Sequence, residues 1–123
     1  MKRELIGKLR ELAADCGSGS VLHRGSSFCT RIDGERGRER ACFWIQLHEG
    51  MVNFQGLGDP ASDEVLEELL AGRSLSEWEP SVYGTLDLSD APDPVAEEFA
   101  SSLITRYYGV EDFEALEFTL EEL

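Results

Sequence analysis

The sequence predicts an α+β fold, an antiparallel sheet of four to five strands with helices packed against it. Three observations predict it. Residues 28–55 and 81–88 hold short apolar or alternating runs separated by glycine-containing turns. Three other stretches carry apolar residues at helical spacing. Asp-Pro pairs stand before or within the start of two of those stretches, where a capping side chain and a first-turn proline open a helix. With 123 residues, the chain suits one domain spanning 1–123 and buries roughly two-thirds of the surface its unfolded form exposes.

Leu5, Ile6, Leu9, Leu12 and Ala13 predict an amphipathic helix over about 2–16, followed by the loop Gly17–Ser20. Phe28, Thr30 and Ile32 alternate with Cys29 and Arg31 as in a half-buried strand. The polar stretch Asp33–Arg40 reads as a hairpin tip. Ala41–Leu47 is a continuous apolar run and predicts a central strand covered on both faces. Glu49-Gly50 turns the chain, and Met51–Gln55 returns antiparallel to complete a meander.

Asp59-Pro60 opens the second helix, with Val65, Leu66, Leu69 and Leu70 on the buried side, acids outward, and Gly72 as the stop. Leu75 and Trp78 fall in a turn of irregular or helical structure. Ser81–Leu88 is a strand with Val82, Leu86 and Leu88 on one face. Ala91–Pro94 repeats the cap-and-proline signal and starts a third helix, whose apolar face is Val95, Ala96, Phe99, Ala100, Leu103 and Tyr107. Leu116–Glu121 alternates and reads as an edge strand, although Phe113, Leu116, Leu120 and Leu123 also fit a helical stripe.

Charge narrows function. Twenty-five acids against eleven bases give −14. Residues 1–50 hold nine bases and seven acids, a net of +2, whereas 51–123 hold two bases, Arg73 and Arg106, and eighteen acids, a net of −16. Such a balance excludes nucleic acid and anionic membrane surfaces as partners. No stretch approaches the roughly 20 apolar residues of a membrane span. Glu4, Lys8, Arg10 and Glu11 interrupt any signal-peptide core, and three cysteines without a CxxC pair fit a reducing compartment, so the expected location is the cytoplasm.

No catalytic motif stands out. Cys16, His23, Cys29, Cys42 and His48 lack the short ligand pairs that nucleate zinc sites, and cysteines inside strands usually pack as small hydrophobes. The glycine-rich loops match no phosphate-binding pattern. The acids of 59–122 fall mostly opposite apolar stripes, as a solvated face does. Hence no enzyme activity, metal or cofactor is expected. The aromatic residues are numerous for so small a sheet, and any left outside the core would line a groove for a peptide or lipid. Trp44, Phe54, Trp78 and Tyr83 are the candidate partner contacts.

The helix Glu4–Ala14 with its Gly-Ser exit, the strand Ser27–Asp33 and the strand pair through Phe54 together resemble the class I chaperones of bacterial type III secretion. Gly56–Pro60 leading into the Leu-rich acidic helix Glu64–Gly72, and the last helix after Asp90–Pro94, extend the resemblance. It implies an acidic homodimer that binds a non-globular segment of another protein. That family carries two strands between its second and third helices, where one is predicted here. A second resemblance rests on Leu69-Leu70-Ala71-Gly72 and Gly84-Thr85-Leu86-Asp87-Leu88, which are similar to the sterol-carrier-protein-2 family. It implies a hydrophobic tunnel for a lipid or other apolar small molecule.

The expected function is therefore a non-enzymatic, chaperone-like binding protein. It would engage an extended or basic segment through an apolar groove with an acidic surround. The alternatives are a lipid-binding domain and an acidic immunity or antagonist protein that blocks a basic site on a toxin or nuclease.

Overall fold

A computed structural model of the protein describes residues 2–15, 28–36, 41–48 and 50–122. In chain order the elements are α1 (Lys2–Asp15), β1 (Phe28–Arg36), β2 (Ala41–His48), β3 (Met51–Gln55), α2 (Pro60–Leu70), β4 (Glu77–Glu79), β5 (Tyr83–Asp87), α3 (Asp93–Ser102) and β6 (Leu116–Glu122). Helix α3 runs on into a π-helical turn, Leu103–Tyr107, and a 3-10 turn, Phe113–Ala115, precedes β6. The strands form one antiparallel sheet in the order β4-β5-β3-β2-β1-β6. The α+β expectation holds, with six strands in place of four to five.

Register and alternation sort the sheet into two faces. Ile32 stands opposite Ile45 and Phe118, Ile45 opposite Phe54, Val52 opposite Leu47 and Leu86, and Phe54 opposite Gly84. These residues line the face beneath the helices, where Ile32, Ile45, Leu47, Val52 and Phe54 are fully buried. The other face carries Arg31, Asp33, Glu35, Cys42, Trp44, Gln46, Asn53, Tyr83, Glu117 and Thr119, and no described helix covers it. Among the described residues, strand β2 is therefore covered by helices on one side only. The apolar run 41–47 hid the alternation because Trp44 and Cys42 occupy outward positions, with Trp44 half-buried and Cys42 exposed.

Leu5 and Leu9 of α1 are buried, and α1 packs on α3, which crosses β3. Asp59 caps α2, its carboxylate accepting the Ser62 N–H at 2.9 Å and the Ser62 hydroxyl at 2.7 Å. The second cap expected from sequence is absent. Pro92 is the N-cap residue of α3 and makes no side-chain bond, with Asp93 already inside the helix. The π turn rotates the chain so that consecutive Tyr107 and Tyr108 both point inward, at 4% and 3% exposure. Tyr108 stacks on Phe43 with ring centres 4.0 Å apart, and Tyr107 meets Phe54 edge-on at 5.9 Å. Both hydroxyls then tie down the exit of β3: Tyr107 accepts the Leu57 N–H at 2.9 Å, and Tyr108 donates to the Gln55 carbonyl at 2.6 Å.

Three further boundaries depart from the sequence reading. Strand β1 continues through Arg36, so Asp33–Arg36 belong to the sheet, while 37–40 lie outside the described residues. The turn expected around Trp78 is strand β4, paired to β5 through Trp78 and Gly84. Strand β5 begins at Tyr83; Val82 precedes it, 54% exposed, after a turn in which Ser81 takes a left-handed conformation. The tail is a strand at the sheet edge beside β1, not a helix. The loop expected at Gly17–Ser20 and the tight turn at Glu49 fall outside the described residues.

Candidate binding grooves beside helix α2

The four candidate contacts divide between the two faces of the sheet. Trp44 on β2 and Tyr83 on β5 share the uncovered face, two strands apart across β3. Tyr83 donates to Glu77 at 3.1 Å, and this bond, more than partial desolvation, holds its phenol above the ordinary range. Phe54 and Trp78 lie on the helix side, their ring centres 6.4 Å apart. Phe54 is wholly buried and belongs to the core, where it offers no surface to a partner. Trp78 is half-buried at the rim.

Gly84 explains where Trp78 rests. A Cβ at that position would come within 2.8 Å of the Phe54 ring and 2.9 Å of the Trp78 indole. The missing side chain lets the indole lie flat across β5 and close the lower end of the core.

Beside that indole, α2 stands between two depressions. One, of about 320 Å3, is walled by Leu66, Leu70, Leu75 and Trp78, with Asp63 and Glu67 on its rim. The other, of about 260 Å3, lies between α2, β5 and α3 and is lined chiefly by Leu69, Leu70, Leu86, Leu88, Val95 and Phe99. Arg73, Glu98 and Ser102 supply its polar edge. Leu70 belongs to both, so one side chain forms the ridge between them.

The sequence explains this shape. The roughly three turns of α2 set a wide apolar stripe between acids, but only Leu66 and Leu70 of that stripe are buried. Val65 and Leu69 stay half-buried along the flanks, while Asp63, Glu64, Glu67 and Glu68 are exposed. The result is an apolar floor under an acidic rim. The helix ends in two left-handed residues, Ala71 at φ 51° and Gly72 at φ 88°, which swing the chain away and bring Arg73 beside the second depression.

Among the described residues no group of three His, Cys, Asp or Glu side chains is placed to hold an ion. Cys42 and His48 sit six positions apart on β2, roughly 20 Å at the rise of a strand. Cys16 and His23 fall outside the described residues, as does the side chain of Cys29. Among the described residues no helix is long and apolar enough to cross a membrane.

Comparison with known proteins adds no relative: no protein-family model matches the chain, and no curated protein or solved structure shows significant similarity to it.

Proposed function

We propose that the protein is a non-enzymatic, chaperone-like binding protein that holds an extended, basic segment of a partner protein in the grooves beside α2. The observation that carries this reading is the pair of apolar depressions sharing Leu70, one of them rimmed by Asp63 and Glu67. Apolar side chains of the partner would fill the depressions and supply most of the affinity. The acidic rim would raise the association rate and favour a basic partner.

Size favours side-chain anchors over an engulfed lipid. Depressions of about 260 and 320 Å3 lie below or at the low end of the roughly 300–1,000 Å3 of small-molecule sites. Element order supports the chaperone side as well. The chain runs helix, three strands, helix, two strands, helix, with the two strands between the second and third helices that the resemblance to type III secretion chaperones implies. Strand β6 stands outside that pattern, and fold alone does not fix function.

Selection of binders from a random peptide display library tests the reading. Retained peptides should be apolar and basic, and should lose binding to a Leu69→Asp, Leu75→Asp double variant that keeps its native circular dichroism. Recovery of no peptide at low salt, or of peptides indifferent to that variant, would refute it.

A further inference from the structure

The two depressions differ in charge. Asp63 and Glu67 edge the one beside Trp78, and among the described residues no base contributes to it. Arg73 and Glu98 edge the one beside Phe99, so a cation stands beside a carboxylate there where the first rim holds carboxylates alone. Residues 51–123 contain only two bases, Arg73 and Arg106. Arg106 is held by Glu68 at 3.0 Å. Arg73 makes no ion pair among the described residues, and its backbone N–H bonds to the Leu70 carbonyl. A half-molecule of net −16 thus spends one of its two cations on its own helix and sets the other at the mouth of a groove.

We infer that the partner segment crossing α2 carries opposite charges beside its two apolar anchors. A Lys or Arg flanks the anchor seated against Trp78, facing Asp63 and Glu67. An Asp or Glu side chain flanks the anchor seated against Phe99, facing Arg73. This inference rests on the reading of the grooves as a partner site and adds the charge order of the segment. The physical ground is discrimination by repulsion as well as attraction. A segment carrying cations at both anchors gains at the Asp63 end and meets a like charge at Arg73. An acid at that anchor removes the repulsion and can take the guanidinium in a two-pronged bond. Leu70 fixes the two anchors on either side of a single side chain, so one short stretch of the partner reads both charges.

The test uses capped synthetic peptides with a Leu and a Phe anchor separated by spacers of varied length. One set carries Lys beside one anchor and Glu beside the other; the second set carries Lys beside both. Fluorescence anisotropy measures each against the wild-type protein and Arg73→Glu. Arg73 is exposed and outside every helix and strand, so the variant should fold, as circular dichroism checks.

The wild type should prefer the Lys/Glu set by about 3- to 10-fold, the range expected when an exposed ion pair replaces a like-charge contact. Arg73→Glu should invert that preference. Equal binding of both sets, or a preference that Arg73→Glu leaves unchanged, would overturn the charge order and leave the groove reading standing. Failure of every peptide at low salt would overturn both. Sedimentation of the protein as a dimer that Leu75→Asp dissociates would assign the groove to a second copy of the chain and likewise overturn the inference.

Discussion

Raising the pH above 10 should unfold the protein through Tyr107 and Tyr108. Burial is the main force that pushes both phenols above their ordinary value, although the Leu57 N–H that Tyr107 accepts works against it. In the unfolded chain they release protons near pH 10, whereas in the fold they keep them. Below pH 10 both states are protonated and the stabilisation is complete. As pH rises toward the folded values the unfolded state binds fewer protons, so stability falls. Tyr108 removes about 1.4 kcal/mol per pH unit, and Tyr107 adds to that slope for as long as the fold holds its proton. A domain stability at the low end of about 5–15 kcal/mol would be exhausted within a few units.

Tyrosinate absorbance and far-ultraviolet circular dichroism, followed on one sample, give the assay. Tyr83, at the surface, should ionise with the fold intact, and the other two should ionise only with the loss of ellipticity. Tyr108→Phe keeps the ring stacked on Phe43 but leaves the Gln55 carbonyl without its donor, at a cost of about 1–3 kcal/mol. It should also make the alkaline decline shallower. Smooth titration of all three phenols near pH 10 in a natively folded protein would refute the packing assigned to the π turn.

Other perturbations probe the elements that shape the grooves. Gly84→Ala would place a Cβ 2.8 Å from the Phe54 ring, an overpacking cost of about 1–3 kcal/mol and a Tm lower by roughly 4–12 °C, with Trp78 emission moving to the red. Ala71→Gly relieves a left-handed alanine and should raise the unfolding free energy measured in urea by about 0.5–1 kcal/mol. Asp59→Ala removes the cap of α2. The Ser62 N–H, then the Ser62 hydroxyl, hold the Asp59 carboxyl below its ordinary value of 3.8. That contribution is present above pH 3.8 and lost as pH falls through the lower folded value, so the variant's deficit in Tm should shrink in acid.

Local chemistry was most legible in the sequence where a residue acts through its near neighbours. Asp59-Pro60 caps α2 as the pair predicts, and the alternation of Leu116–Glu121 marks an edge strand. What escaped depends on distant partners. Glu77–Glu79 is too short for any period to show, and it becomes a strand because Gly84 leaves room for Trp78. The π turn breaks the helical period, so the inward turn of Tyr108 beside Tyr107 has no signature in spacing.

The candidate site divides in the same way. Trp78 is visible as an aromatic outside any strong apolar stripe, but spacing cannot tell which face of a strand a tryptophan takes, as Trp44 shows. Phe54 looked equally available and lies at the centre of the core. Arg73 had a signal that charge counting alone could supply: it is one of two bases among the last 73 residues. What sets it apart is the pairing of Arg106 with Glu68, which no spacing in the sequence shows.

The two tryptophans offer the most direct test of the groove as the partner site, because they lie on opposite faces of the sheet. A Trp44→Phe variant leaves Trp78 as the sole indole, and Trp78→Phe leaves Trp44. Each is titrated with a peptide selected on the wild-type protein while emission is recorded. Binding beside α2 predicts a saturable change in the emission of Trp78 and none in that of Trp44. A change confined to Trp44 would place the partner on the uncovered face of the sheet and contradict the proposal.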